Sequence, residues 1–267
     1  MDATERHQLI LEQLATRGEV SVEEVSQRAG VSPMTIRRDL DELDRLGAVK
    51  RVRGGAVSVL SRGYEPPFAA RAKLHVEAKE QIAAAAAERV HGGQTLVLDA
   101  GTTTLALARR LRGVHGLTVA TPSLRIASAL ADERDMRVII IGGVVRAGEH
   151  SVISSHALEH LAQLRFDLCF LTISGVEAHS GLTEWNLDDA ATKAVAIASS
   201  RECVVLADAS KLGKVAFARV APLDRIDLLI TDAAVTADQL APLRAAGLSV
   251  HVAGIENPSR EGPPPWE

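Results

Sequence analysis

From residue 95 to the end, short runs rich in Val, Ile, Leu and Ala recur at 95–99, 117–120, 137–141, 168–173, 203–207, 226–231 and 249–252. Helical spacing fills the gaps, for example at 103–111, 124–130, 157–164, 188–199 and 237–246. Unbroken apolar runs mark strands buried on both faces, and the intervening helices supply the crossovers of a mostly parallel sheet. The fold class is therefore α/β, doubly wound. The longest apolar stretches fall far short of the roughly 18 residues that a bilayer span needs. Asp2 and Glu5 stand where a secretory leader carries basic charge. The only thiols, Cys169 and Cys203, lie inside strand runs without a C-x-x-C pattern, so two reduced, buried cysteines in a cytoplasmic protein are expected, with no metal and no cofactor.

The first sixty residues follow a different pattern. Leu9, Ile10 and Leu14 recur at helical spacing before Gly18. Ser21 with Glu24 forms a capping-box signature for a second, short helix that buries Val22, Val25 and Ala29 before Gly30. A third helix starts with Ser32 as N-cap and Pro33 at the first helical position, carries Ile36, Leu40 and Leu43 inward, and closes at Gly47. This helix, turn, helix arrangement leaves Ser32, Thr35, Arg37 and Arg38 on the outer side near a helix N-terminus, where recognition helices meet base edges and phosphates. The alternation at 49–53, a tight turn at Gly54-Gly55 and a return strand at 56–59 predict a β-hairpin wing. Lys50, Arg51, Arg53 and Arg62 make that wing cationic although the whole chain has a formal net charge of −4. Local charge, more than the total, is the footprint for a phosphate backbone.

The run from Val31 to Leu40, containing Thr-Ile-Arg-Arg-Asp-Leu, followed by Arg53-Gly54-Gly55-Ala56, resembles the N-terminal signature of the DeoR family of bacterial transcriptional repressors. The resemblance implies a winged helix-turn-helix joined to a C-terminal sensor domain, folded like ribose-5-phosphate isomerase, that binds a phosphorylated sugar or related metabolite. The expected organisation is a DNA-binding domain at 1–60, a linker marked by Gly63, Pro66 and Pro67 at 61–74, an effector-binding domain at 75–254, and an unstructured tail at 255–267.

Ligands of open α/β sheets settle beyond the carboxyl ends of the strands. The first such end reads Asp99-Ala100-Gly101-Thr102-Thr103-Thr104 and opens a helix, so that a close-approach glycine, backbone N–H groups, the helix dipole and hydroxyls meet at one point. This composition suits a phosphate; an ordinary threonine N-cap gives the same letters. The ends at Thr121-Pro122-Ser123, Gly142-Gly143, Ser174-Gly175 and Asp208-Ala209-Ser210-Lys211 are also small, polar or charged and are expected on the same rim. Lysine is scarce in the chain, which singles out Lys193 and Lys211 as point charges for an anion. The second half also resembles the family, in Leu-Asp-Ala-Gly-Thr-Thr-Thr from Leu98 and Asp-Ala-Ser-Lys-Leu-Gly-Lys from Asp208. This implies ligand contacts for Asp99, Gly101, Thr102, Thr103, Lys193, Asp208 and Lys211. Where the family has Thr-Asn-Ser after the second strand, this chain has Thr121-Pro122-Ser123.

Two catalytic readings compete with this one. His156-Ala157-Leu158-Glu159-His160 matches a zinc-binding H-x-x-E-H pattern, but no third ligand is placed by a nearby motif. An isomerase-like enzyme fused to a DNA-binding domain would use Asp99 or Asp208 as general base beside Lys193 or Lys211. The sequence favours a non-enzymatic, sugar-responsive repressor, acting on double-stranded operator DNA as a homo-oligomer without membrane contact.

Overall fold

The computed structural model describes residues 1–57 and 65–254. Its N-terminal unit comprises α1 (Ala3–Arg17), β1 (Glu19–Ser21), α2 (Val22–Ala29), α3 (Pro33–Arg45), β2 (Lys50–Val52) and β3 (Gly55–Val57). Asp2 and Glu5 close a full capping box on α1. At α2 only half of the expected box forms: Ser21 accepts from the Glu24 N–H at 3.0 Å, while the Glu24 carboxylate turns to Arg17. Ile10, Leu14, Val25, Ile36, Leu40 and Leu43 fill the small core. Arg6 clamps α1 to α3 by a fork onto Asp39, with Nε and Nη2 donating at 2.7 and 2.9 Å.

The strands of this unit run in the order β1-β3-β2, and β1 had no counterpart in the sequence reading. It also shifts the wing. Val52 pairs with Gly55, so the turn is Arg53-Gly54, not Gly54-Gly55, with Gly54 at φ +85°. Gly55 is a strand residue because a β-carbon there would collide with the Val20 carbonyl of β1. The rest of the expected return strand, Arg62, and the tail from 255 onward lie outside the described residues.

Next come α4 (Phe68–Lys73), α5 (Val76–Ala87), β4 (Thr95–Leu98), α6 (Thr102–Arg110), β5 (Thr118–Thr121), α7 (Leu124–Leu130) and β6 (Arg137–Ile140). They are followed by β7 (Val144–Val145), β8 (Val152–Ile153), α8 (Ser155–Ala162), β9 (Phe166–Thr172), β10 (Gly175–Glu177), β11 (Gly181–Glu184), α9 (Leu187–Ala198) and β12 (Ser200–Leu206). The last elements are β13 (Ala218–Ala221), β14 (Leu228–Asp232), α10 (Ala237–Ala245) and β15 (Val250–Ala253). All seven apolar runs become strands of one parallel sheet, ordered β15-β14-β12-β9-β4-β5-β6.

Alternate residues of the central strands enter opposite cores. Val97, Cys169 and Val205 face one side, whereas Leu96, Leu98, Phe170 and Leu206 face the other. Cys169 and Cys203 are buried, free and paired in register on neighbouring strands. The chain winds from β4 to β5 and β6 in one direction and from β9 to β15 in the other, so the order reverses between β4 and β9. Such a reversal leaves a crevice at the strand ends.

Other elements were not expected. The antiparallel set β10-β11-β13 and the β7-β8 hairpin are too short and mixed in polarity to give an apolar run. The segment read as a bare linker contains α4, which contributes Phe68 to the core under the large sheet and Ala70 to the N-terminal core. No described helix is long and apolar enough to cross a membrane.

Candidate functional site

Two surfaces gather the residues singled out by sequence. The first is the exposed side of α3 and the wing. Ser32 caps α3, accepting from the Thr35 N–H at 3.2 Å, and its hydroxyl meets that of Thr35 at 2.9 Å. Arg37, Arg38, Lys50 and Arg53 are exposed. Within Thr35–Leu40 the labour divides by helical phase: Ile36 and Leu40 are buried, Asp39 holds Arg6, and the two arginines point to solvent. Arg51 departs from the expectation. Its Nε donates to Asp41 at 2.9 Å and its Nη1 to the Gly55 carbonyl at 2.7 Å, so it braces the wing against α3.

The second is a cavity of about 640 Å³ at the β4/β9 reversal. Gly101, Thr102 and Thr103 bring the start of α6 to it, and no side chain caps that helix. Gly101 is required because a β-carbon would run into the Thr172 side chain. Thr172 and Ser174 arrive from the end of β9, Glu184 and Trp185 from β11, Lys193 from α9, and Asp208 with Lys211 from the end of β12. A further wall is unexpected. Arg71, His75 and Lys79 from the segment around α4, and Gln8, Leu11 and Glu12 from α1, also line the cavity.

Inside this space the charges fall into two sets. Lys193 is buried, donates to the Thr172 carbonyl at 2.9 Å, pairs with Glu184 and stands 3.3 Å from Asp99. Burial opposes its charge, but the fields of Asp99, Glu184 and Asp189 outweigh that and hold the ammonium above its ordinary range. Its charge is thus already answered by protein carboxylates. Lys79, Lys211 and Lys214 are instead pushed down by burial, Lys79 to about 8. Lys79 donates to the Arg71 and Leu74 carbonyls, and Lys211 lies 4.8 Å from the centre of the Trp185 ring. Asp208 is held below the carboxylate range: burial would raise it, but Lys211, His75 and Lys79 prevail. An anion entering here meets uncapped N–H groups on one side and destabilised ammonium groups on the other.

Of the proposed ligand residues, Gly101, Thr102, Thr103, Lys193, Asp208 and Lys211 line the cavity. Asp99 stands behind it, accepting from the Thr172 hydroxyl at 2.8 Å. Thr104 is fully buried and donates to the Asp99 carbonyl at 2.7 Å. Gly142 and Gly143 are elsewhere, near the β7-β8 hairpin, where a β-carbon on Gly143 would collide with Ser154. Their strand, β6, is at the sheet edge, remote from the reversal. The Thr121-Pro122-Ser123 departure also misses the cavity: Ser123 caps α7, and the Pro122 carbonyl accepts from Val152 at 2.7 Å.

Sequence reading missed Lys79, Lys214, Arg71 and Trp185 as cavity residues. Trp185 carried a signal as one of only two tryptophans; Lys79 and Lys214 were two of the few lysines. Arg71 belongs to an ionic strap, pairing with Glu65 and Glu149 while Arg146 pairs with Glu65 and Asp189. His156 and Glu159 sit exposed 3.5 Å apart, and among the described residues no group of three or more His, Cys, Asp or Glu side chains is placed to hold a metal ion.

Comparison with known proteins matches both halves. Residues 6–62 match a DeoR-like helix-turn-helix domain and residues 74–233 a DeoR C terminal sensor domain. The chain is 35% identical to the glycerol-3-phosphate regulon repressor of Escherichia coli over 87% of its length and 92% of that protein. It is 37% identical to the HTH-type transcriptional regulator GlpR of Haloferax volcanii, over 92% and 96%, and 33% identical to the HTH-type transcriptional repressor GlcR of Bacillus subtilis, over 85% and 88%. Among solved structures, a D-ribose-5-phosphate isomerase in complex with phospho-erythronic acid overlaps 51% of this chain and 53% of its own, at 14% identity and a TM-score of 0.38.

Proposed function

Because the chain belongs to the DeoR family of transcriptional regulators, we propose that it represses a carbohydrate-metabolism operon and that a phosphorylated sugar or polyol sets its affinity for the operator. α3, through Arg37 and Arg38, would enter the major groove while Lys50 and Arg53 of the wing lie along the backbone. One small winged unit makes few base contacts, so two or more copies on a repeated or palindromic site are required. The setting is the bacterial cytoplasm.

The observation that carries this reading is a single cavity lined both by the α6 N-terminus with Lys211 and by α1 of the DNA-binding unit. A ligand there touches both halves and can favour one arrangement of them over another, the condition for coupling it to DNA. The relatives' names, which include a glycerol-3-phosphate regulon repressor, support a phosphoester as ligand. We assign the chain no catalytic step: Asp99 is already engaged by Thr172 and Lys193, and Asp208 by the Ser210 N–H and hydroxyl, rather than poised as bases.

Fluorescence anisotropy on DNA from upstream of its own gene and its neighbours, with and without a panel of phosphorylated sugars and polyols, tests this. Specific binding shifted by one compound is expected. Turnover of any of these compounds by the purified protein would overturn the reading in favour of an isomerase-like enzyme.

A further inference from the structure

The effector cavity is not built by the sensor alone. Gln8, Leu11 and Glu12, one face of α1, form part of its wall. Leu14 and Ala48 from the core of the same DNA-binding unit also reach it. Besides the apolar packing of Ala70 from α4 in the N-terminal core, the ties that hold this wall in place are modest polar ones. Gln8 Nε2 stands 3.5 Å from His75 Nδ1, and Lys73 meets Glu42 at 3.4 Å across exposed surface. His75 itself is at φ +50°, a left-handed conformation uncommon for a residue other than glycine, at the junction between α4 and α5.

Glu12 is the only carboxylate that α1 contributes to the cavity among the described residues. It accepts from Gln8 at 3.0 Å and lines the same cavity as Lys214. Lys214 stands at the exposed rim of the cation set that includes Lys211 and Lys79. A carboxylate from the DNA-binding unit therefore faces the group of lysines to which an incoming phosphate is drawn.

We propose that Glu12 competes with the ligand's phosphate for Lys214, so that a docked α1 and a bound phosphoester exclude one another. This rests on the effector reading above and supplies its missing step. A phosphate placed on these lysines repels Glu12, and α1 leaves the cavity wall. Because Arg6 ties α1 to Asp39 on α3, the recognition helix moves with it. The ligand thus binds the undocked state more tightly than the docked one, which is the differential affinity that any allosteric response needs.

The test uses full-length protein carrying Trp266→Phe, which leaves Trp185 in the cavity as the single tryptophan. Its fluorescence is titrated with inorganic phosphate and with glycerol 3-phosphate in a double-mutant cycle of Glu12→Gln and Lys214→Gln. Glu12→Gln is expected to tighten anion binding by roughly 5- to 20-fold, in the range of typical coupling factors, and to have no such effect once Lys214 is Gln. Hydrogen exchange in α1 is expected to quicken when the probe binds the Glu12 protein. Unchanged affinity in Glu12→Gln, equal tightening in both Lys214 backgrounds, or unaltered exchange in α1 would overturn the proposal while leaving the sensor in place. Failure of both probes, and of every phosphorylated sugar and polyol of the panel, to bind either protein would remove the effector reading itself, and this proposal with it.

Discussion

The cations of α3 and the wing and those of the cavity are both proposed to meet phosphate, and they are built in opposite ways. Arg37, Arg38, Lys50 and Arg53 stand in water. Their charge costs little to maintain, acts at long range and is screened by salt. Lys193 and Lys79 are buried; one is matched by carboxylates and the other is pushed down to about 8. Charges kept in such surroundings are fixed in position and hardly screened. A surface that must slide on any DNA and stop at one site uses the first kind. A pocket that must distinguish one small anion from many uses the second.

The widest gap between the two should be in salt dependence. With about eight phosphate contacts from two copies, operator affinity is expected to fall roughly 10³- to 10⁵-fold between 50 and 200 mM salt, while phosphoester binding to the cavity changes far less. Parallel titrations by anisotropy and Trp185 fluorescence would show it, and matching slopes would erase the distinction.

Stability should separate the regions next. Lys193→Met leaves Asp99 and Glu184 buried without their partner and is expected to cost about 3–5 kcal/mol in urea unfolding. Arg37→Ala, by contrast, should stay within about 0.5 kcal/mol of the parent and lower operator affinity by roughly 10- to 100-fold. An Arg37 variant with full operator affinity would remove α3 from the groove.

Lys211→Ala should weaken the phosphoester about tenfold, the loss of one charge-assisted contact, and blunt the response while ligand-free DNA binding is retained. The smallest effect is in pH. An anion favours charged Lys79, so binding takes up a proton as that group is driven back toward its ordinary range. Affinity should therefore fall as pH rises through about 8, by about threefold between pH 7.5 and 8.5. Calorimetry in buffers of different ionisation enthalpy reads the proton directly; affinity that rises with pH would show that Lys79 does not meet the ligand.

The sheet was legible because burial on both faces leaves no room for polar interruption, so each central strand had to be an apolar run. Gly101 to Thr103 were legible because a strand end, a glycine and a helix start are local events. What lies beyond local range was not. Gln8 and Glu12 reach the cavity from the far end of the chain by domain docking, which no periodicity encodes. Trp185 and Glu184 sit at the end of β11, a four-residue strand packed between two others and too short to announce itself. Arg51 looked like its neighbours because charge counts cannot tell that Asp41, on the adjacent helix, would turn toward it. Gly55 was read as a turn because its partner strand β1 has only three residues.

The central claim is that occupancy of the cavity and grip on the operator are alternatives, and reciprocity tests it most directly. With the compound that shifts the operator titration, its affinity is measured by Trp185 fluorescence on the free protein and on the protein saturated with operator, both carrying Trp266→Phe. If the account is right, the compound binds the operator complex more weakly, by the same factor by which it weakens DNA binding. Equal affinity for the free and DNA-bound protein would contradict it.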